Sequence, residues 1–169
     1  GASTTELILD TVQKNYALYK YIFRNMPMCS NPGLVGTIFG AIQFIVGTKM
    51  LPLYGYVHPG KAVPQVDVAV LTEDLAWTTS IHIALTDPTK YPGSAYLGPY
   101  VNVTYSARIP ETAVDCTYWL NKVKDSEARI LIHIFSGRPG LSLIIQWKEL
   151  GIPALPIGIN VLAQLQEHW

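Results

Sequence analysis

The sequence predicts a protein of the α/β class, on three observations from its C-terminal part. The almost wholly apolar run "ARILIHIF" (128–135) is typical of a central strand covered on both faces. "GLSLIIQWKEL" (140–150) follows with helical spacing and ends at Gly151. "IPALPI" (152–157) is a second short strand, which its prolines place near the sheet edge. The order of strand, helix and strand predicts a Rossmann-like mixed or parallel sheet with flanking helices.

The middle of the chain supplies further elements. Apolar and polar residues alternate in three segments, which predicts three strands at 66–72, 78–86 and 100–109. The acidic pair Glu73 and Asp74 lies between the first two, in a connection such as a hairpin, where a solvated turn is favoured over an acid–base role. A helix is expected from Pro110, with Cys116 on its buried face as an inert thiol. The last ten residues predict a closing helix.

An N-terminal helical pair is predicted to precede the sheet. Residues 4–26 have amphipathic spacing, and residues 34–56 are apolar with few polar interruptions. The second segment fits a core helix, and a membrane-inserted or interface helix remains open. Prolines and glycines then divide the chain into an N-terminal helical segment, 1–60, and an α/β ligand-binding domain, 61–169.

Composition limits the classes of partner. The 169 residues carry 12 basic and 12 acidic side chains, so binding to long nucleic acid is not expected. Only 14% of residues are charged and 49% are hydrophobic, which indicates burial against another subunit, another domain or a membrane. Two cysteines without zinc or redox spacing favour a reducing compartment. We therefore expect a cytoplasmic protein, with membrane association through residues 34–56 as the alternative.

The turn "SGRPG" (136–140) is the strongest candidate site. It lies where the carboxyl end of a predicted strand meets a helix N-terminus, a position that favours anions such as phosphate. It is neither GxGxxG nor a Walker loop, and no cofactor, metal site or catalytic residue is predicted. The predicted ligand-binding residues are Ser136, Gly137, Arg138, Gly140, His133 and Tyr100. An ordinary turn with an exposed arginine, and a core histidine at 133, are the alternatives.

The stretch "ILIHIFSGRPGLSLII" resembles a region near the end of SAVED domains, which are relatives of the CARF sensors. In that pattern a strand reads His-apolar-Phe, a short turn carries a proline and a small or apolar helix follows; His133, Phe135 and Pro139 hold those places. The resemblance covers residues 110–157. It implies a receptor for cyclic oligonucleotides in antiviral (antiphage) defence. It also implies that Ser136, Gly137 and Arg138 meet phosphate or base.

These observations together predict a nucleotide-binding sensor rather than an enzyme. It would bind a small nucleotide-type anion and signal through a homo-oligomer, or through an effector or membrane partner at residues 34–56. Two other classes stay open. A chain poor in charge could be a self-assembling coat or filament subunit, and His133, His82 or acidic residues in a cleft could serve a small α/β hydrolase or transferase.

Overall fold

The computed structural model describes residues 14–19, 40, 44, 65–87 and 101–164. Its strands are β1 (Val66–Glu73), β2 (Val101–Ile109), β3 (Ile130–Phe135) and β4 (Leu155–Asn160). Its helices are α1 (Tyr16–Tyr19), α2 (Ala76–Thr86), α3 (Thr117–Asp125), α4 (Arg138–Glu149) and a short 3₁₀ helix (Val161–Gln164). The four strands form one sheet in the order β2-β1-β3-β4, and every pair is parallel. The predicted α/β class with a parallel sheet is confirmed.

The two central strands are buried along their whole length. Each residue of β1 and of β3 is buried, as expected for strands with a neighbour on each side and helices on both faces. The polar residues of β1 have partners for this reason: the carboxylate of Asp67 accepts a 2.7 Å hydrogen bond from the side-chain amide of Asn102 on β2. The central position predicted for β3 is confirmed.

The helices cover the two faces of the sheet unequally. On one face α2 packs through Ile81, Ala84 and Leu85 against the valines of β1 and the isoleucines of β3. On the other face α3 and α4 contribute Leu120 and Leu143 to a second core cluster. Each fully buried valine, leucine or isoleucine among them stabilises the fold by about 1.5–3 kcal/mol. β2 lies on one side of β1, whereas β3 and β4 lie on the other. Because the strand–helix–strand connections have the same handedness, α2 covers one face of the sheet, and α3 and α4 cover the other.

Strand β4 lies at an edge of the described sheet, as its prolines predict. The backbone N–H of Leu155 donates to the carbonyl of Arg129 at 2.8 Å, so it points toward β3. Backbone groups alternate in direction along a strand, so the nitrogen of Pro156 faces away from β3, where its missing hydrogen costs no bond. The helical stop at Gly151 is also confirmed, with a φ of 59° that favours glycine.

The predicted strand at 78–86 is wrong, because this segment is helix α2. Ile81 and Ile83 alternate with polar residues, yet Ile81, Ala84 and Leu85 also have the spacing of one helical face. Strands β1 and β2 are parallel, and a parallel pair needs a crossover rather than a hairpin. The Thr78 hydroxyl donates to the carbonyls of Glu73 and Leu75, which fixes the entry into α2.

Helix α3 begins at Thr117, later than the predicted start at Pro110. The side chain of Asp115 accepts the N–H of Thr117 at 2.8 Å, and the N–H of Cys116 donates to the side-chain oxygen of Gln146 at 2.7 Å. These two bonds satisfy amide groups at the helix start. Of the predicted closing helix, the described part holds the end of β4 and the 3₁₀ helix, and residues 165–169 lie outside it.

Most of the predicted N-terminal helical pair lies outside the described residues. Helix α1 falls within the predicted helix at 4–26, and Gly40 and Phe44 are helical within the apolar segment 34–56. The division into 1–60 and 61–169 therefore stays a prediction. Within the described ranges, no helix combines the length and the apolar character needed to cross a membrane.

Candidate functional site

The carboxyl ends of β1 and β3 form the candidate site. These strands are neighbours, but the chain continues from β1 to β2 on one side and from β3 to β4 on the other. Such a point of divergence opens a crevice between the following loops, and ligands of open α/β sheets bind there. Glu73 is the last residue of β1, and Ser136 follows the last residue of β3.

A buried carboxyl group joins these two strand ends. The backbone N–H and the hydroxyl of Ser136 both donate to Oε2 of Glu73, at 2.8 and 2.6 Å. Glu73 is only 1% exposed, and its Oε1 has no hydrogen-bond partner within the described part of the chain. A methyl group added at Gly137 would overlap Oε1, so the turn closes tightly over the carboxyl group. The prediction that Glu73 lies in a solvated turn is wrong.

Arg108, near the end of β2, stabilises the turn between β1 and α2. Its guanidinium forms a 2.8 Å ion pair with Asp74, and it donates to the carbonyl of Leu75 at 2.9 Å and to the hydroxyl of Thr79 at 2.8 Å. Asp74 is 57% exposed, so this ion pair contributes at most about 1 kcal/mol. The charge of Arg108 is therefore engaged in holding the start of α2, a role that the sequence analysis did not identify.

Arg138 presents a cation at the same edge of the sheet. It is the first residue of α4, it is exposed, and its guanidinium makes no hydrogen bond or ion pair to the described residues. The positive end of the helix dipole adds to its charge. Ser136, Gly137 and Arg138 thus lie at the strand ends as the sequence predicts, with Glu73 as an unpredicted neighbour.

The other predicted site residues have different surroundings. His133 is buried inside the sheet, in register with Leu71 and Gly158. Gly140 is buried in the first turn of α4, where its N–H donates to Gly137 at 3.1 Å and its carbonyl accepts from the side chain of Asn160 at 2.9 Å. Gly140 therefore joins α4 to β4. Tyr100 lies outside the described residues.

His82, one of the residues considered for a hydrolase or transferase, lies on helix α2 rather than on a strand. Its Nδ1 is 2.9 Å from the Thr72 hydroxyl. Burial lowers the pKa of His82 below its ordinary value of 6.5, and the nearby charge of Arg108 lowers it further, while Asp74 acts in the opposite direction. The neutral imidazole is therefore the form that the fold favours.

We expect His82 to make the protein less stable in mild acid. Because the folded-state pKa lies below 6.5, the unfolded chain binds the extra proton more readily, and stability falls as pH drops from about 6.5 through the folded-state pKa. Urea unfolding of His82→Gln between pH 7.5 and 5 should show a flatter pH dependence than the parent chain. An unchanged slope would assign the acid sensitivity to other groups.

Cys116 is buried beneath α4 and is unsuited to catalysis. Burial, with a smaller contribution from Asp115, raises the pKa of its thiol to about 11, and the thiol donates toward the carbonyl of Pro139 at 3.6 Å. The thiolate needed for attack is thus disfavoured, in agreement with the predicted inert cysteine. Over the part of the chain that the structure describes, no three His, Cys, Asp or Glu side chains are grouped to hold a metal ion.

Comparisons with solved structures show the fold. The chain is similar to a putative branched-chain amino acid ABC transporter protein from Silicibacter pomeroyi (TM-score 0.61, 16% identity, 96% of this chain and 36% of that chain). It is similar to an ABC transporter solute-binding protein from R. palustris in complex with 4-hydroxybenzoate (TM-score 0.55, 15% identity, 82% and 32%). A third similar structure is a branched-chain amino acid ABC transporter periplasmic ligand-binding protein from Burkholderia xenovorans (0.53, 17%, 78% and 32%).

The chain spans about a third of the length of these structures. No family model and no curated protein matches the sequence. At identities of 12–17% the likeness establishes the fold alone, a parallel α/β sheet with flanking helices.

The comparisons correct several predictions. The resemblance to SAVED and CARF sensors is wrong, because the similar structures include solute-binding and ligand-binding proteins of ABC transporters. Nucleotide binding and a sensor role in antiviral defence have no support, and the turn at 136–137 holds the carboxyl group of Glu73 rather than free donors for a phosphate. The cytoplasmic location is overturned by neighbours that include a periplasmic protein. A small-molecule ligand agrees with these structures, whereas a homo-oligomer finds no support in them.

Proposed function

We propose that the chain forms part of an extracytoplasmic solute-binding protein that captures a small organic acid for an ABC transporter. The similar structures include a leucine-, isoleucine-, valine-, threonine- and alanine-binding protein from Brucella ovis and a protein in complex with 4-hydroxybenzoate, and a carboxylate is common to both kinds of ligand. The observation that carries the proposal is the arrangement of side chains at the carboxyl ends of β1 and β3. There Arg138 is exposed beside the turn that Glu73 and Ser136 fasten.

Arg138 and the N-terminus of α4 suit the carboxylate of such a ligand. A guanidinium binds a carboxylate with two parallel hydrogen bonds, and the helix dipole favours negative charge at the same place. Trp77, half-buried in the first turn of α2, offers an apolar surface at the same edge for a hydrocarbon or aromatic body. Because the chain matches about a third of the similar structures, we expect further ligand contacts from the rest of such a protein.

The proposal predicts weak, localised binding by the 169-residue chain itself. In ¹⁵N–¹H NMR titrations with L-leucine and with 4-hydroxybenzoate, amide shifts should change at residues 73–79 and 136–140. A dissociation constant near 1 mM corresponds to about −4.1 kcal/mol, within reach of this method. Arg138→Ala should weaken binding by more than tenfold, since a charge-assisted hydrogen bond contributes about 1.5–3 kcal/mol. Lys148→Ala, exposed in the last turn of the same helix, is the matched control.

Two results would contradict the proposal. One is a set of amide shift changes confined to the amino-terminal ends of the strands, near Gln65 and residues 126–129. The other is the absence of any change with either acid while a cyclic dinucleotide, added as a comparison, produces one at the 136–140 turn.

A further inference from the structure

We infer that Glu73 is the specificity-determining residue of this site. Its carboxyl group occupies the anion-binding position of the turn after β3. As a result Ser136 faces a ligand as a hydrogen-bond acceptor. This inference rests on the proposed function and refines its ligand class. The site accepts organic acids that also carry a donor, an ammonium or hydroxyl group, and it rejects phosphates.

The argument begins with the donors of the turn. A strand end that meets a helix N-terminus normally offers free backbone N–H groups to an anion. Here the N–H and the hydroxyl of Ser136 both donate to Oε2 of Glu73, at 2.8 and 2.6 Å. The protein's own carboxyl group therefore fills the place that a phosphate would take. A phosphate approaching the turn would meet like charge at short range, in partly desolvated surroundings.

The carboxyl group is held in place from several directions. The carbonyl of Glu73 accepts the Thr78 hydroxyl, and the following N–H, that of Asp74, donates to the carbonyl of Ile109 at 2.7 Å. The absence of a side chain at Gly137 lets the turn lie against Oε1. Oε1 is buried and has no hydrogen-bond partner in the described ranges, so the carboxyl group presents an unused acceptor to the turn.

The orientation of the Ser136 hydroxyl follows from the same contacts. A serine hydroxyl has one hydrogen and two acceptor lone pairs, and the hydrogen is used in the 2.6 Å bond to Glu73. Ser136 is half-buried, so part of its surface remains accessible. What it offers a ligand is a lone pair, strengthened by the carboxyl group behind it. An ammonium or hydroxyl donor fits Ser136, while the ligand carboxylate fits Arg138.

The first test removes the carboxyl group of Glu73 by the substitution Glu73→Ala. Thermal shift and the NMR signal of the Ser136 amide are recorded with acetate and with inorganic phosphate, for the parent chain and for Glu73→Ala. In the parent chain we expect neither anion to bind the N–H and the hydroxyl of Ser136, because both donate to Glu73. In Glu73→Ala the two Ser136 donors become free, and acetate or phosphate should bind there. Glu149→Ala, at the far end of α4, removes the same charge and should show no such gain.

The second test uses ligand pairs that differ in the donor group: L-leucine with 4-methylpentanoate, and 4-hydroxybenzoate with benzoate. In the parent chain the ligand with the donor should bind about tenfold more tightly, which corresponds to about 1.4 kcal/mol. Ser136→Ala should reduce this ratio to near one, and it does so without emptying the Glu73 position. This comparison decides the question even where Glu73→Ala does not fold.

The outcomes separate this inference from the proposed function. Acetate or phosphate bound at Ser136 in the parent chain, or no gain in a folded Glu73→Ala variant, would overturn the role of Glu73. Equal affinity within both ligand pairs would overturn the acceptor role of Ser136 while leaving the proposed function intact. If no member of either pair binds but Glu73→Ala gains anion binding, the proposed function fails and the assignment of Glu73 stands.

Discussion

Replacing Phe135 by alanine is expected to lower the free energy of unfolding by about 3–5 kcal/mol, the range found when a buried aromatic residue is truncated. Phe135 is the last residue of β3 and is 0% exposed. It lies in the core cluster that α3 and α4 form with the sheet, together with Leu131 and Leu143. Removing its ring leaves a cavity directly beneath the turn that begins at Ser136.

Urea unfolding followed by tryptophan fluorescence and circular dichroism measures this loss. Ile145→Ala is the matched control, because Ile145 lies on α4 but is 40% exposed, and it should cost about 1 kcal/mol or less. Phe135→Ala should also weaken ligand binding, since the Ser136 turn loses its support. If Phe135→Ala and Ile145→Ala cost the same, Phe135 is not part of the core.

The sequence predicted the unit β3-α4-β4 because its signals are local. The apolar run before Phe135, the helical spacing up to Gly151 and the prolines near β4 each restrict the backbone within a few residues. The observed β4 begins three residues later than its predicted start, at Leu155 rather than at 152, because the carbonyl of Arg129 sets the first bond of the β3–β4 pairing. The position of a strand start depends on the partner strand, which local signals do not contain.

The sequence of helix α2 predicts a strand because its pattern fits the periodicity of a strand as well as that of a helix. "TTSIHIALT" alternates as a strand does, and its threonines and isoleucines favour strands in general. Its apolar residues Ile81, Ala84 and Leu85 become one face only when the segment packs against the sheet. Tertiary packing overrides intrinsic propensity here. The parallel pairing of β1 with β2, which requires a crossover, decides the outcome.

Only the part of the candidate site whose residues are adjacent in the sequence is predictable from it. Ser136, Gly137 and Arg138 follow one another, so a turn at a helix start could be identified from the sequence. Glu73 is 63 residues away from Ser136, and its burial depends on β1 lying next to β3. A glutamate followed by an aspartate indicates solvent exposure on average. The same turn that predicted a phosphate site therefore contains a carboxyl group of the protein itself.

Gly140→Ala is expected to destabilise the protein by about 1–3 kcal/mol, although alanine is the better helix former. Intrinsic propensity favours alanine over glycine in a helix by up to about 0.8–1.0 kcal/mol, so propensity alone predicts a stabilised variant. A methyl group at this position would lie 2.7 Å from Cβ of Phe135 and 2.8 Å from Oδ1 of Asn160. Cβ of Phe135 cannot move without the backbone of β3, and forced overpacking of this kind costs about 1–3 kcal/mol, occasionally more.

The overlap also strains the contact between α4 and β4, because the Asn160 side chain donates to the Gly140 carbonyl at 2.9 Å. Urea unfolding of Gly140→Ala and of Ser142→Ala separates packing from propensity. Ser142 is two residues further along the same helix, and its replacement should stabilise the protein by a few tenths of a kcal/mol, roughly the propensity difference. Opposite signs for the two variants establish close packing of α4 on Phe135 and Asn160. A Gly140→Ala variant as stable as Ser142→Ala would show instead that α4 lies further from β3 and β4, and that the Ser136 turn is not fixed from this side.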